Sequence, residues 1–185
     1  VKFRGAKVFV LKVGPVSVVM HRPLEGTVKT VTLSKSASGK YYLAALVDTG
    51  EAQPGKQPFT PTTTVGVDVG ITYFATLSTG EKIDNPKYLM KAEKKLIRAQ
   101  RKLSRRKKGS SNKDRQIIRV AVQHEKVTAR RRDFLHKLSK RLISDNQAVA
   151  VEKLNIIGML KNRRLAKQIG SCGWAEFFSF LDYKS

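Results

Sequence analysis

Residues 65–70 read VGVDVG and residues 148–152 read AVAVE. Each run has the apolar character of a buried strand and carries a single acid, Asp68 in the first and Glu152 in the second. Because alternate side chains of a strand share a face, Asp68 lies opposite the valines and is flanked on its own face by two glycines, which leaves space for a bulky ligand to approach. A carboxylate in such a run needs a metal, a cation or a hydrogen-bond network, since burying it unpaired costs several kcal/mol. The two runs therefore predict a sheet that presents two acids to a ligand.

The two acids become neighbours if their strands pair in parallel across the helices that separate them in sequence. Two-metal hydrolysis of a phosphodiester needs oxygen ligands that hold two divalent ions about 4 Å apart, and Mg²⁺ prefers carboxylates and water. We interpret Asp68 and Glu152 as candidate catalytic and metal-binding residues, with Mg²⁺ or Mn²⁺ as the expected ion. The three histidines, His21, His124 and His136, are scattered over unrelated segments and are not expected to be catalytic.

The chain is strongly basic, with 37 Lys and Arg against 14 Asp and Glu, a net charge of +23 and a pI near 10.4. Residues 87–141 hold 21 of the basic residues and 4 of the acids, a net +17. With so few acids, i,i+4 salt bridges along a helix cannot explain the number of basic residues. The imbalance therefore favours contact with a polyanionic partner over a helix surface that faces only water. The candidate nucleic-acid contacts are Arg98, Arg101, Lys102, Arg105, Arg106, Lys107, Lys108, Arg130, Arg131, Lys161, Arg163 and Arg164.

Composition divides the chain into three parts and predicts a mixed α+β or α/β fold. Residues 1–48 alternate in short β-type runs and predict the β-hairpins of a small sheet or barrel. Residues 49–63 are rich in Gly, Pro, Gln and Thr and predict a linker. Residues 64–185 predict three antiparallel strands led by the Asp68 strand, then a basic helical hairpin over 86–143, the Glu152 strand and an apolar helix from Trp174.

Finer features follow from the same patterns. In the first part we expect strands at 7–11, 16–20, 27–33 and 41–47, with turns at 14–15, 21–23 and 36–39. The first helix of the hairpin is expected to bury Tyr88, Ala92, Leu96, Ala99 and Leu103, with Pro86 in its first turn. The second is expected to carry along one side Ile117, Val120, His124, Val127, Arg131, Phe134 or Leu135, Leu138 and Leu142. The last helix is expected to place Trp174, Phe177, Phe178 and Leu181 in the core.

Cysteine content and hydropathy exclude several classes of protein. No apolar run approaches the roughly 18–20 residues of a membrane span, and the first residues lack the form of a signal peptide. We therefore expect a cytoplasmic protein without membrane contact. Cys172, the single cysteine, can form neither an internal disulfide nor a Cys-rich zinc site, so it is expected to be a structural thiol and zinc is not expected in this chain.

Six motifs together resemble the TnpB family, the OrfB-type proteins of bacterial insertion sequences. They are VGVDVGI at 65–71, LSRRKKGS at 103–110, RDFLHKLS at 132–139, VEKLN at 151–155, KNRRLA at 161–166 and GWAEF at 173–177. In order and spacing they cover about residues 60–185, and the preceding β-rich part looks like the end of the wedge barrel of that family.

The resemblance implies an RNA-guided DNA endonuclease with a RuvC-like nuclease domain of the RNase H fold. By motif, Asp68 corresponds to the first catalytic acid of the family and Glu152 to the second. The implied partners are a guide RNA and a target DNA, in the bacterial cytoplasm and associated with the nucleoid. The third catalytic aspartate of the family lies beyond a zinc ribbon of two Cys-x-x-Cys pairs, and this sequence stops before both. We therefore expect a central portion of the family's protein, with an incomplete catalytic set.

Two alternatives remain at this point. The first is a remnant of the same family that binds guide RNA and DNA without cleaving. The second is an ATPase of the actin-like or sugar-kinase class, because Gly-x-Asp-x-Gly after a strand also cradles phosphate, although no second Asp-x-Gly strand follows the Asp68 run and the sequence has no Gly-rich adenosine loop of that class. The identity of the guide RNA, the target and the oligomeric state are left open by the sequence.

Overall fold

The fold is mixed α/β with several separate sheets. A computed structural model of the chain describes residues 2–4, 7–10, 12–52, 55, 58 and 60–185. The chain divides into two units, Val1–Gly55 and Lys56–Ser185, and the division falls inside the segment whose composition predicts a linker. That segment ends in a short 3-10 turn, Pro61–Thr63, which Thr60 caps.

The first unit contains two antiparallel sheets. Its strands are β1 (Lys2–Arg4), β2 (Lys7–Val10) and β3 (Gly14–Ser17) in one sheet, and β4 (Thr27–Lys35) and β5 (Tyr41–Asp48) in the other. The strands predicted at 27–33 and 41–47 are confirmed as β4 and β5. Within the described residues of this unit the sheets stay separate and do not close into a barrel, which corrects the predicted partial barrel. Val8 is the single apolar side chain described here as fully buried, so there is no broad core around which a barrel wall could curl.

The turn predicted at Gly14 and Pro15 is wrong. Both residues belong to β3, and the reversal lies at Lys12, whose φ of 65° supplies the left-handed step. A proline is accommodated in β3 because that strand is at the edge of its sheet, where one side needs no N–H donor. β3 ends before residues 18–20, which were also expected to be strand, and Leu11 lies outside the described residues.

The second unit is built on a four-stranded sheet. Its strands are β6 (Thr64–Val69), β7 (Tyr73–Leu77), β8 (Lys82–Asp84) and β9 (Ala148–Val151), in the spatial order β8-β7-β6-β9. β6, β7 and β8 are antiparallel, as predicted, and β9 joins the other side of β6 in parallel. The parallel pairing follows from the long helical crossover between the two strands, because it returns the chain to the same end of the sheet.

The crossover consists of two long helices, α1 (Tyr88–Ser104) and α2 (Ser111–Asp145). α1 buries or half-buries the stripe that its periodicity predicts, with Leu96 at its centre. It begins two residues after Pro86 rather than around it. The residues between the helices form a tight connection, and Ser110 starts α2 by accepting a hydrogen bond from the Lys113 backbone N–H at 3.2 Å.

The predicted side of α2 faces the interior in its C-terminal half, whereas in its N-terminal half Val120 is half-buried and two other members of it are exposed. Val127 and the three leucines that follow are buried, but Ile117 is 45 % exposed and His124 is also exposed. The buried residue is Gln116, whose Nε2 donates to the carbonyl oxygen of Ala99 at 3.0 Å. This half of α2 packs on α1 alone, outside the main core, so a polar contact to a helix backbone replaces the expected apolar one.

Three shorter helices complete the unit: α3 (Ile156–Met159), α4 (Ala166–Cys172) and α5 (Trp174–Asp182). The core lies between the sheet, the C-terminal half of α2 and α5, where Phe74 packs edge-on against Phe134 and Phe177 with ring centroids 5.1 and 5.2 Å away. α5 buries Trp174, Phe177 and Leu181 as predicted, Phe178 packs half-buried against the core, and Phe180, which was not predicted, is buried as well. Phe178 and Phe180 are two residues apart on a short helix that is apolar on most sides, so periodicity alone does not separate them.

Cys172 behaves as a structural thiol. It is 4 % exposed, its Sγ donates to the Gln168 carbonyl oxygen at 3.2 Å, and the Asn85 side chain donates to it at 3.3 Å. Burial raises the pKa of the Cys172 thiol, which keeps the sulfur protonated and unreactive at neutral pH. In the part of the chain that the structure describes, no helix is both long enough and apolar enough to cross a bilayer.

Candidate functional site

The register of the parallel pair brings the two predicted acids together. β6 and β9 are paired from Thr64 opposite Ala148 to Val67 opposite Val151. One residue further along both strands lie Asp68 and Glu152, on strands that are about 4.8 Å apart. Both side chains are exposed and border the same open depression, about 560 Å³ in volume, at the carboxyl ends of the two strands. The two acids predicted from separate sequence runs therefore share one surface.

The floor of this depression is made of small side chains. Gly66, Ala150 and Ser78 contribute to it, and the Ser78 Oγ accepts a hydrogen bond from the Gly66 N–H at 3.0 Å while the Ser78 N–H donates to the Gly66 carbonyl at 2.9 Å. A Cβ added at Gly66 would meet no atom closer than the Ser78 Cβ at 3.4 Å. The surface beside Asp68 is thus open, and a bulky ligand such as a nucleic-acid strand has room to approach both carboxylates.

The second glycine that flanks Asp68 has a different role. A Cβ at Gly70 would lie 3.0 Å from the backbone oxygen of Tyr73, in the tight connection between β6 and β7. The Gly70 N–H also donates to the Phe74 carbonyl oxygen at 3.1 Å. Gly70 is therefore required by the close approach of two backbone segments, whereas the sequence predicted that it leaves space for a ligand.

Gly70→Ala is expected to lower the free energy of unfolding by about 1–3 kcal/mol, because a backbone oxygen cannot move aside as a side chain can. Gly66→Ala is the matched control and should change it by no more than about 0.5 kcal/mol. Urea unfolding followed by circular dichroism measures both. Equal stabilities of the two variants would show that the β6–β7 connection relaxes freely.

The donor chemistry of the pair suits a hard divalent cation. Mg²⁺ in proteins is held by one or two carboxylates, with water and substrate phosphates completing an octahedron. Asp68 and Glu152 supply that number, and they fit one such ion. Among the described residues no group of three or more His, Cys, Asp or Glu side chains lies close enough together to hold a metal. The ring of His136 is stacked on Phe180 at 3.9 Å, away from this pair, and desolvation lowers its pKa.

A second concave surface runs along the outer side of α1. It has a volume of about 520 Å³, and its lining residues recur every three or four positions: Lys94, Ile97, Arg98, Arg101, Lys102 and Arg105. We call this surface the α1 groove. Four of these residues are among the predicted nucleic-acid contacts, and all of them are exposed. Lys94 was missed, although its spacing of four residues from Arg98 is the signal that would have included it.

The remaining predicted contacts fall into two groups. Arg106, Lys107 and Lys108 are exposed in the connection between α1 and α2, and Arg130 is exposed on α2. The other group, Lys161, Arg163 and Arg164, is exposed in the segment that links α3 to α4. All of these side chains are free to meet phosphates, but the structure does not gather them into the α1 groove.

Arg131 is placed differently from the other predicted contacts. Its side chain is 25 % exposed and its Nε lies 3.8 Å from a Glu176 carboxylate oxygen, while the neighbouring Arg132 Nε lies 2.7 Å from the other oxygen. Gly173 packs against the Arg131 side chain, since a Cβ there would lie 3.1 Å from the Arg131 Cδ. We assign Arg131 to this contact between α2 and α5 instead of to a nucleic acid.

The family match covers most of the second unit and part of the first. Residues 45–163 match the OrfB_IS605 family, whose description is "Probable transposase". The chain belongs to the OrfB_IS605 family. This confirms the resemblance to the OrfB-type proteins that the sequence motifs indicate.

Two relatives in the OrfB_IS605 family illustrate its members. A Streptomyces pristinaespiralis protein named "Putative RNA-guided DNA endonuclease" is 43 % identical over 173 residues, which are 92 % of this chain and 42 % of that protein. The Escherichia coli K12 protein "Putative RNA-guided DNA endonuclease InsQ" is 31 % identical over 195 residues, 97 % of this chain and 48 % of InsQ. The chain thus spans less than half the length of these relatives.

Proposed function

We propose that this chain is part of an RNA-guided DNA endonuclease and that Asp68 and Glu152 bind the divalent ion at which the DNA is cut. The observation that carries the proposal is the parallel register of β6 and β9, which sets the two carboxylates side by side over an open depression. Proteins of the same family bear this activity in their names.

The strand order supports a RuvC-like nuclease of the RNase H fold. Such a domain needs three antiparallel strands with the first catalytic acid on the leading one, and a fourth strand in parallel beside it that carries the second acid. The order β8-β7-β6-β9 and its directions have that form. Ligands of open sheets bind at the carboxyl ends of parallel strands, which is where Asp68 and Glu152 lie.

In the proposed mechanism, the acids, the small residues and the basic residues have separate roles. Asp68 and Glu152 would hold a Mg²⁺ or Mn²⁺ ion through their carboxylate oxygens, and such an ion would supply Lewis-acid chemistry for phosphodiester hydrolysis. The small residues Gly66 and Ala150 leave room for the scissile phosphate to approach both acids. The cations of the α1 groove neutralise flanking phosphates and hold the nucleic acid in place.

The proposed partners are a guide RNA and its DNA target. The net +17 of residues 87–141 supports them, because the α1 groove places five of these cations on one concave surface. An A-form RNA–DNA heteroduplex is recognised largely through its phosphates and shape, and exposed Lys and Arg side chains suit such contacts.

A second candidate function is binding of guide RNA and DNA without cleavage. It is favoured by one observation, the lack among the described residues of a third carboxylate beside Asp68 and Glu152. Two carboxylates suffice for one ion but leave a second ion under-coordinated, and two-ion hydrolysis needs both.

The metal site can be tested on this chain directly. Mn²⁺ added to the ¹⁵N-labelled protein is expected to broaden the amide signals of residues 66–69 and 150–153, because a paramagnetic ion relaxes nearby nuclei. Asp68→Asn should abolish the broadening, whereas Asp84→Asn, an exposed acid on β8, should leave it unchanged. Broadening that persists in Asp68→Asn, or that centres on other residues, would contradict the proposed metal site.

A further inference from the structure

α3 follows closely after Glu152 and packs against the core. It begins four residues after Glu152, and the chain enters it from the carboxyl end of β9, where Asp68 also lies. Ile156 and Met159 pack against the core, and the Asn155 Oδ1 accepts a hydrogen bond from the Gly158 N–H at 2.9 Å. The helix is therefore fixed by its inner face and by its cap, although it has only four residues.

The outer face of α3 is apolar as well. Ile157 is 77 % exposed, and Leu160, the helix-conformation cap residue directly after α3, is 40 % exposed. We call these two residues the α3 patch. Side chains three apart lie on the same side of a helix, so the two form one continuous surface. An exposed isoleucine side chain contributes little of the hydrophobic free energy that its burial would give. Contact with a binding partner would bury the side chain and so gain that free energy.

The charge around the α3 patch identifies the class of partner. Residues 153–175 contain five Lys or Arg and no Asp or Glu. Lys161, Arg163 and Arg164 are exposed, and none of them has a carboxylate partner in the part of the chain that the structure describes. An apolar patch bordered by unpaired cations fits a ligand that has both apolar faces and regularly spaced negative charges, which is a nucleic-acid strand.

We propose that the α3 patch contacts the bases or sugars of a single strand whose phosphates lie against Lys161, Arg163 and Arg164, next to the Asp68–Glu152 pair. A single strand is specified because its bases expose their faces, whereas in a duplex those faces are stacked on one another. Ile157 is then a positioning residue for the strand that reaches the carboxylates. This inference rests on the proposed function and names the strand contact of the same site.

The first test separates an apolar contact from a charge contact. Binding of a fluorescein-labelled 20-nucleotide single-stranded DNA is followed by anisotropy at several salt concentrations. Ile157→Ser should weaken binding about threefold to tenfold with no change in the log–log salt slope, since no phosphate contact is lost. Lys161→Gln should instead lower the slope by about 0.7.

The matched control is Ile118→Ser. Ile118 is also a helical isoleucine, 45 % exposed on the basic helix α2, so it tests the loss of exposed apolar surface in a similar electrostatic field. Its affinity for the strand should stay within about twofold of the parent chain. Because Ile157 and Ile118 are both at the surface, folding of the variants should be unaffected, and circular dichroism verifies it.

The second test adds a reporter at the patch. The chain has a single tryptophan, Trp174, which is 2 % exposed. In Ile157→Trp the new indole should be quenched by stacked bases on addition of single-stranded DNA and should tighten binding, because aromatic stacking on a base contributes about fivefold or more to affinity. Ile118→Trp should show little quenching.

The outcomes are distinct for the two proposals. If the parent chain binds the strand but Ile157→Ser binds equally well and the Ile157→Trp emission is not quenched, the inference about the α3 patch is overturned and the proposed function stands. If Ile157→Ser changes self-association in sedimentation and not DNA affinity, the patch is a protein contact and the inference is also overturned. If the parent chain binds no nucleic acid at all, both proposals fail.

Discussion

Replacing Asp68 with Asn is expected to lower guide-dependent DNA cleavage by about 10³-fold or more, measured with the complete gene product, its guide RNA and Mg²⁺. Glu152→Gln should have an effect of the same order. The reason is that each carboxylate supplies a large part of the protein's hold on the ion, and each loss of about 1.4 kcal/mol of transition-state stabilisation costs a factor of ten in rate. Both replacements keep the size of the side chain, so the depression should retain its shape.

The control for these variants is Asp84→Asn. Asp84 is an exposed acid at the end of β8, in the same sheet but not in the depression. It should keep its cleavage rate within about twofold, since surface substitutions away from a site have small effects. In buffer without divalent ions, the nucleic-acid affinity of Asp68→Asn should not fall, because removing a negative charge lowers the repulsion of a polyanion. Near-normal cleavage by Asp68→Asn would show that the ion is bound elsewhere.

The placement of the two acids on neighbouring strands was predictable from the sequence. Two apolar runs, each with one acid, indicate two strands, and the long helical stretch between them is the kind of crossover that a parallel pair needs. Once the pairing is parallel, the register aligns Asp68 with Glu152 without further information. What the sequence could not give was the role of each glycine, because the clash at Gly70 depends on where the next strand turns back.

Errors occurred where a tertiary contact overrode a local pattern. Gly14 and Pro15 have the composition of a turn, yet pairing with β2 extends them, and only the edge position makes the proline acceptable. Gln116 is polar and was not expected in the interior, but the Ala99 carbonyl satisfies it. The periodicity of apolar residues in the sequence shows which face of a helix is apolar, but it does not show which element that face packs against.

The net charge of the helical segment could be predicted from the sequence, but the contacts of individual charged side chains could not. The net +17 of the segment from 87 to 141 follows from counting, whereas Arg131 could not be set apart from its neighbours without knowing that Glu176 packs beside it. Glu176 is 45 residues further along the chain, and no spacing rule links the two. Conversely, Lys94 joins the α1 groove through helical spacing alone.

The α1 groove should dominate the electrostatic part of nucleic-acid binding. Four of its charges are replaced together by Gln: Lys94, Arg98, Arg101 and Lys102. If each contacts one phosphate, the slope of log affinity against log salt on duplex DNA should fall by about 3.6, and affinity at 0.1 M salt should fall by about 10³-fold. Helical placement along one concave surface fixes these side chains relative to one another, so little of the attraction is lost to ordering them.

Two other sets of charges make this prediction specific. The exposed connection between the helices provides a second set of three: Arg106, Lys107 and Lys108. Replacing these by Gln should also weaken binding and flatten the slope, but by less, because the loop must be ordered on binding. The third set consists of cations that already have carboxylate partners: Lys137 with Asp133 at 2.8 Å, Arg141 with Glu81 at 2.9 Å, and Lys167 with Glu93.

Neutralising the paired set should change the slope by less than about 1, because a cation held by a carboxylate releases fewer counterions when a phosphate approaches. The three sets therefore separate a located binding surface from a general effect of net charge, since all of them lower the charge by three or four. Fluorescence anisotropy between 50 and 300 mM salt would measure each slope. Equal changes for all three sets would mean that the +23 of the chain acts only as a diffuse field, and that the α1 groove is not where the nucleic acid lies.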